Sequence, residues 1–248
     1  MTPLLLALAA AFLAGLVDAM AGGGGLIQLP ALFVLLPHEA AVTVLGTNKA
    51  SSIFGTSLAA WRYARAVPLP WRSVGGAVVA AFFASALGAA TAQHVDGTMF
   101  KPAVLVVLVC VAIFTFVRPD YGAVAHARER PALGTLLGGL IGFYDGLVGP
   151  GTGTFLIFAF IATLALDFVQ ASGAAKAVNV ATNLAAVLIF AATDHVKWAW
   201  SLPMAVANMA GSAVGARLAL GGGARFVRRV FQAVIVALIA KVAWDVAG

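Results

Sequence analysis

The sequence predicts an all-α integral membrane fold of two inverted five-helix repeats, with Gly-broken or re-entrant helices at the repeat interface. Three observations predict it. Apolar residues make up 62% of the 248-residue chain and charged residues only 10%, where soluble domains carry about 25% charged residues. The chain matches itself, without gaps, at an offset of 127 residues. The basic loops of the two halves also fall at different places in the repeat.

The composition sets the solvent. A soluble domain of this length cannot cover so much apolar surface, and the mean hydropathy of +1.01 agrees. Lipid is therefore the expected surrounding. A net charge of +6 and a pI of about 10.0 raise nucleic acid as a partner, but the basic residues sit in short loops between apolar runs, as in cytoplasmic loops of membrane proteins. The single cysteine, Cys110, lies in an apolar run, so no internal disulfide is expected and a thiolate metal site is disfavoured. Met1 to Ala21 lacks a basic n-region and contains Asp18, so it reads as a first membrane helix rather than a cleaved leader.

Ten apolar runs can be marked: 3–20, 25–36, 40–63, 74–93 and 100–117, then 132–148, 153–166, 168–192, 202–219 and 226–247. Most approach the ~20 residues a spanning helix needs. The second and seventh are short, and each follows a glycine cluster. Short, glycine-interrupted segments at matching places in two halves point to a transporter's binding site. The expected organisation is an N-terminal membrane repeat over 1–117, a cytoplasmic linker over 118–131 and a C-terminal membrane repeat over 132–248.

The repeat is read from rare residues. Asp18 meets Asp145, Lys49 meets Lys176, Trp71 meets Trp198, and Gly15, Gly22 and Gly24 meet Gly142, Gly149 and Gly151. Buried Asp, Lys and Trp seldom match by chance in so apolar a chain, which makes duplication the expected origin. Charge then sets orientation. The loop after the third run carries Arg62, Arg65 and Arg72 and no acid, whereas its counterpart holds Asp194, His195 and Lys197. The loop after the fourth run holds Asp96 and Lys101, whereas its counterpart carries Arg217, Arg225, Arg228 and Arg229. Under the positive-inside rule the halves lie upside down to one another. The linker, with Arg118, Arg128 and Arg130, falls inside and both termini outside a multi-pass membrane span. Trp61, Trp71, Trp198 and Trp200 stand at run ends, as interfacial anchors do.

Three groups of residues carry the expected chemistry. Gly22, Gly23, Gly24 and Gly25, with Gly149, Gly151, Thr152 and Gly153, each end one helix and open another. Glycine permits the turn and close approach of a ligand, and the opening helix offers free N–H groups and the positive dipole end to an anion. Lys49 and Lys176 lie deep in their runs; Lys49 is about 14 Å in at ~1.5 Å per residue, too far for easy snorkelling. A charge at mid-membrane costs at least about 2.5–3.5 kcal/mol and marks function by default. Asn48, Asn179 and Asn183, with Thr47, Ser51, Ser52 and Thr182, add amide and hydroxyl donors suited to oxyanion oxygens.

Asp18 and Asp145 each precede a glycine break. They are candidates either for an ion pair with the lysines or for a proton or Na⁺ site, because helix C-termini and burial both disfavour the charged carboxylate. Glu39 and Asp167 read as helix caps or first-turn acids. His38, His94, His126 and His195 read as loop residues, and no metal or cofactor is expected. No strand and Lys-Ser/Thr ending accompany the glycines as in a phosphate loop, and neither His-Glu-x-x-His nor Gly-x-Ser-x-Gly occurs, so no enzyme is expected.

The stretch Ala14 to Gly25, with Leu45-Gly46-Thr47-Asn48-Lys49, resembles the two signatures of the sulfite exporter TauE/SafE family, also called the toluene sulfonate uptake permeases. Gly142 to Gly146, Gly149 to Thr154, Lys176 to Asn179 and Thr182-Asn183 fit the same signatures in the second half. The resemblance covers essentially the whole chain. It implies transport of sulfite, a sulfonate or a related small sulfur anion across the cell inner (plasma) membrane. With no nucleotide-binding motif beside the apolar runs, a secondary transporter coupled to ion, proton or substrate gradients is expected. The expected partners are that anion, a coupling ion (H⁺ or Na⁺) and the lipid bilayer. The alternative is a cation-coupled carrier of a non-sulfur organic anion, with Asp18 and Asp145 as the H⁺ or Na⁺ sites.

Overall fold

The computed structural model describes residues 2–100, 102, 106 and 129–247, with side chains described as far as 222. Among the described residues the chain is all helical: α1 (Thr2–Ala21), α2 (Gly25–Leu35), α3 (Ala41–Ala66), α4 (Trp71–Ala92), α5 (Pro131–Leu147), α6 (Thr152–Leu164), α7 (Phe168–Ala192) and α8 (Trp198–Ala247), with a 3-10 turn at Gly97–Met99. Most of run 100–117, Cys110, His126 and most of the linker lie outside the described residues.

Three of these helices are long and apolar enough to cross a bilayer, at Pro3–Ala21, Trp71–Ala92 and Phe168–Ala192. Their outer faces carry large exposed hydrophobics such as Leu6, Leu13, Phe83, Leu87 and Leu188, a surface that water would reject and lipid accepts. Trp61, Trp71 and Trp198 are 45–54% exposed at or near helix ends, and the Arg65 guanidinium lies 4.9 Å over the Trp61 ring.

α2 has 11 residues and α6 has 13, so each is roughly 16–20 Å long and neither crosses a hydrocarbon core of ~30 Å alone. The ninth and tenth runs, read from sequence as separate, form one continuous helix of 50 residues. The Gly221-Gly222-Gly223 stretch between them costs helix propensity, about 1 kcal/mol per glycine relative to Ala. It keeps every N–H, however, and so does not break the hydrogen-bond ladder.

Local chemistry explains several ends. Asp167 accepts from Val169 N–H and Gln170 N–H and forms a capping box with Gln170 at the start of α7. Glu39 does not cap α3, whose N-cap is Ala40; it forms a 2.8 Å ion pair with Lys197. Asp96 caps the 3-10 turn by accepting from Thr98 N–H and Oγ1, which hold its carboxyl below the usual carboxylate range.

The packing is reciprocal between the halves. α1 packs along α8 and α5 along α4, while α3 and α7 cross at the centre. A Cβ added at Gly215 would land on the carbonyl oxygen of Leu16, and one at Gly88 on that of Phe143; both pairs are related by the same 127-residue offset. Helices approach this closely in lipid only through small residues. Two interhelical bonds repeat the relation: Ser85 Oγ donates to Thr182 O at 2.9 Å, and Ser212 Oγ to Gly55 O at 2.6 Å.

Candidate functional site

The two glycine breaks touch each other. Gly22 and Gly149, one in each break, have φ of +82° and +96°, and Gly151 has +81°, a region that side chains with a Cβ seldom enter. Gly22 also has no room for one, since a Cβ there would strike the Gly153 carbonyl carbon. Across the seam Thr154 N–H donates to Gly22 O at 3.2 Å and Thr154 Oγ1 to Ala21 O at 3.2 Å. Within the second break, Thr152 Oγ1 donates to Gly149 O at 2.7 Å and the Tyr144 hydroxyl to Pro150 O at 2.5 Å. Four helix ends, those of α1, α2, α5 and α6, therefore meet around one point.

A cavity of about 40 Å³ opens there, room for roughly three water molecules at ~10–15 Å³ each. Gly22, Gly24, Gly25, Gly149, Gly151, Thr152 and Gly153 line it from the breaks, and Asp18 and Asp145 from the helices that end there. Asn48, Lys49, Ser52 and Thr56 line it from α3, Asn179 and Asn183 from α7, and Asn208 from α8. Of the residues singled out in sequence for the site, Gly23, Thr47, Ser51, Lys176 and Thr182 are not in the lining. Among the described residues, no backbone acceptor is bonded to the N–H groups of Gly24, Gly151 and Gly153.

The charges are paired between halves. Lys49 Nζ is 2.6 Å from Asp145 Oδ1, and Lys176 Nζ is 2.9 Å from Asp18 Oδ2. The pairs are equivalent by offset but not by environment. Lys49 reaches the cavity wall, whereas Lys176 is fully buried behind an Asp18 side chain that is 19% exposed. Asp18 Oδ2 also accepts from Thr56 Oγ1 at 3.4 Å. Asp145 is 3% exposed, and its Oδ2 has no donor among the described residues. Neither pair leaves a net charge, so the buried quartet of two ammoniums and two carboxylates is neutral. That is the arrangement in which buried ions are tolerated.

Around them stand unused amides. The side chains of Asn48, Asn179 and Asn183 make no hydrogen bond among the described residues, and the Oδ1 atoms of Asn48 and Asn179 are shut off from the cavity. Asn48 and Asn179 thus keep Nδ2 as their accessible polar atom, while neither amide atom of Asn183 is enclosed in this way. By contrast, Thr47 and Thr182 turn their hydroxyls onto helix carbonyls, those of Thr43 and Asn179, and serve the backbone.

Sequence reading missed Thr56, Asn208 and Gln28. Thr56 was signalled by spacing, since Asn48, Ser52 and Thr56 recur every four residues on one face of α3, and Thr56 is the offset partner of Asn183. Asn208 and Gln28 carry no such signal, because their offset partners are Ala81 and Phe155.

A lipid-facing helical chain that buries a paired-charge cavity where four helices break is a membrane transporter. The family profile of the sulfite exporter TauE/SafE family matches residues 7–242, and the chain belongs to that family. It is 34% identical over 246 residues, covering 95% of this chain and 90% of the relative, to the "Probable membrane transporter protein ORF9" of Sinorhizobium sp. It is 29% identical over 240 residues (96% and 88%) to the "Probable membrane transporter protein YfcA" of Escherichia coli strain K12. A further "Probable membrane transporter protein", from Haemophilus influenzae, is 29% identical over 236 residues (94% and 92%). No solved structure matches the chain.

Proposed function

We propose that this transporter is a secondary carrier of a small sulfur oxyanion, sulfite or a sulfonate, across the inner membrane by alternating access. The observation that carries the reading is the Lys49 ammonium at the wall of the cavity, paired among the described residues with Asp145. An anion entering there replaces the Asp145 carboxylate as counter-ion. The free N–H groups of the glycine breaks and the Nδ2 groups of Asn48, Asn179 and Asn183 surround the remaining oxygens. Such charge-assisted bonds are the strong ones, and they offset the loss of hydration that excludes anions from lipid. Lys176 acts one step back, holding Asp18 in place at the opposite wall.

The fold supports alternating access. Two halves with reciprocal packing, α1 on α8 and α5 on α4, meet at the cavity, and a rocking of one half against the other exposes it to each side in turn. In this reading the second half is inverted relative to the first, and both termini lie outside. Transport is driven by ion or proton gradients.

Flux of radiolabelled sulfite and of methanesulfonate into proteoliposomes tests the proposal. Wild-type protein gives saturable flux, and Lys49→Ala lowers it at least tenfold. Unchanged flux in Lys49→Ala removes the lysine from the mechanism. One observation favours a second reading, a cation-coupled carrier of a non-sulfur organic anion: Asp145 Oδ2 is a buried acceptor with no donor among the described residues, and H⁺ or Na⁺ would satisfy it. Flux that follows Na⁺ or pH while carboxylates compete and sulfur anions do not selects that reading.

A further inference from the structure

One half of the site carries a polar chain that the other half lacks. Asn208 Nδ2 on α8 donates to Ala11 O of α1 at 3.1 Å and to Gln28 Oε1 of α2 at 3.1 Å. Gln28 Nε2 donates to Ser51 Oγ of α3, and Ser51 Oγ donates to Asn48 O at 2.9 Å. Gln28 and Ser51 are fully buried and Asn208 nearly so. The offset partners of Gln28, Ser51 and Asn208 are Phe155, Val178 and Ala81, all apolar. The equivalent positions are thus packed without any such chain.

The chain has only one direction. Its two ends are backbone carbonyls, of Ala11 and Asn48, and a carbonyl oxygen only accepts. The Asn208 atom against Ala11 O must be the nitrogen, so the Gln28 atom facing it must be the oxygen, and Gln28 turns its nitrogen to Ser51. Both donors of Asn208 are spent inward and the carboxamide cannot flip. A Cβ added at Gly55 would land on its Oδ1, which receives no donor among the described residues. Asn208 lines the cavity. The wall therefore includes a residue whose one unspent polar atom is a locked neutral acceptor.

A bare oxyanion has only acceptor oxygens and gains nothing from such an atom. We infer that the substrate is a small oxyanion that also carries a hydroxyl donor, and that Asn208 reads this hydroxyl, with Gln28 and Ser51 as positioning residues. The inference rests on the anion-carrier reading and narrows its substrate class. The hydroxyl belongs either to the carbon next to the anionic head or to a protonated oxygen of the head itself. A site built around a hydrogen bond discriminates strongly against an analogue without it, because its own polar atom is then left unpaired.

Binding of the full-length transporter in detergent to two isosteres, 2-hydroxyethanesulfonate and propane-1-sulfonate, tests this by calorimetry. Wild-type protein binds the hydroxylated anion at least tenfold more tightly. Asn208→Ala and Gln28→Ala each reduce that ratio below threefold while propane-1-sulfonate still binds; a general packing defect would weaken both ligands alike. Lactate against isobutyrate repeats the comparison on a carboxylate head. Inorganic sulfite titrated at acidic and alkaline pH separates the two sources: preference for the protonated ion, lost in Asn208→Ala, assigns the donor to the head. Equal affinity within both isosteric pairs, together with no pH preference for sulfite, overturns the inference but leaves the carrier reading standing. Binding of none of these anions overturns both.

Discussion

Lys49 and Asp145 show how one pair serves both stability and transport. Removing one partner leaves the other charge buried without compensation, which costs about 3–5 kcal/mol, whereas replacing both by neutral groups of similar shape is often tolerated. Lys49→Met is expected to lower thermal stability in detergent sharply, and Lys49→Met combined with Asp145→Asn to recover most of it without recovering flux. The same cycle at Lys176 and Asp18 should show a weaker coupling, because Asp18 is partly exposed and also bonded by Thr56. If the double variant at Lys49 and Asp145 is as unstable as Lys49→Met, the pair is not the stabilising unit. At this scale the sequence revealed which residues are rare and deep, but not their pairing. Lys49 and Asp145 are almost a hundred positions apart, and either lysine was a possible partner for either aspartate.

The helices divide into long spans and short half-helices, and the break between them is set by backbone conformation. Gly22 and Gly149 stand at equivalent turns with positive φ, where a side chain costs of order 1–3 kcal/mol. Gly22→Ala carries an added clash with the Gly153 backbone. It is expected to destabilise the protein more than Gly149→Ala, whose new methyl group meets the end of the Lys49 side chain at 3.0 Å and the Asp145 carbonyl oxygen at 3.1 Å, both longer than the approach to Gly153. Melting temperatures of the two variants check the order. The helix seams make a second case. Gly215→Leu forces α1 and α8 apart and Gly88→Leu does the same to α4 and α5, so both should lose folded yield, while Gly75→Leu, with open space around it, should not. Glycine clusters and their register were legible in sequence because glycine spacing is a local property. The continuity of α8 through Gly221 to Gly223 was not, since a glycine run weakens a helix without dictating where it ends.

For the whole molecule, the main helix pairings map onto one another by the repeat offset, and the proposed inversion places equivalent loops on opposite faces of the membrane. Ala66 and Thr193 are equivalent by offset and both exposed at helix ends. In a Cys110→Ala background, Ala66→Cys is expected to react with a membrane-impermeant maleimide only from the cytoplasmic side and Thr193→Cys only from the outer side. Labelling of both from one side would make the repeat parallel and remove the rocking of inverted halves from the mechanism.

By itself the sequence determined the solvent, the 127-residue register of matching rare residues, the glycine break points and which polar residues lie deep in apolar runs. These follow from composition, periodicity and the cost of burying charge, all of which can be read along the chain. Only the tertiary structure decided who meets whom: that Lys49 reaches the cavity while its equivalent Lys176 is sealed behind Asp18, and that Gln28, Ser51 and Asn208 join into one directed chain. Hydrogen bonds and ion pairs act over about 3 Å, and which atoms come within that distance depends on the crossing of helices far apart in sequence.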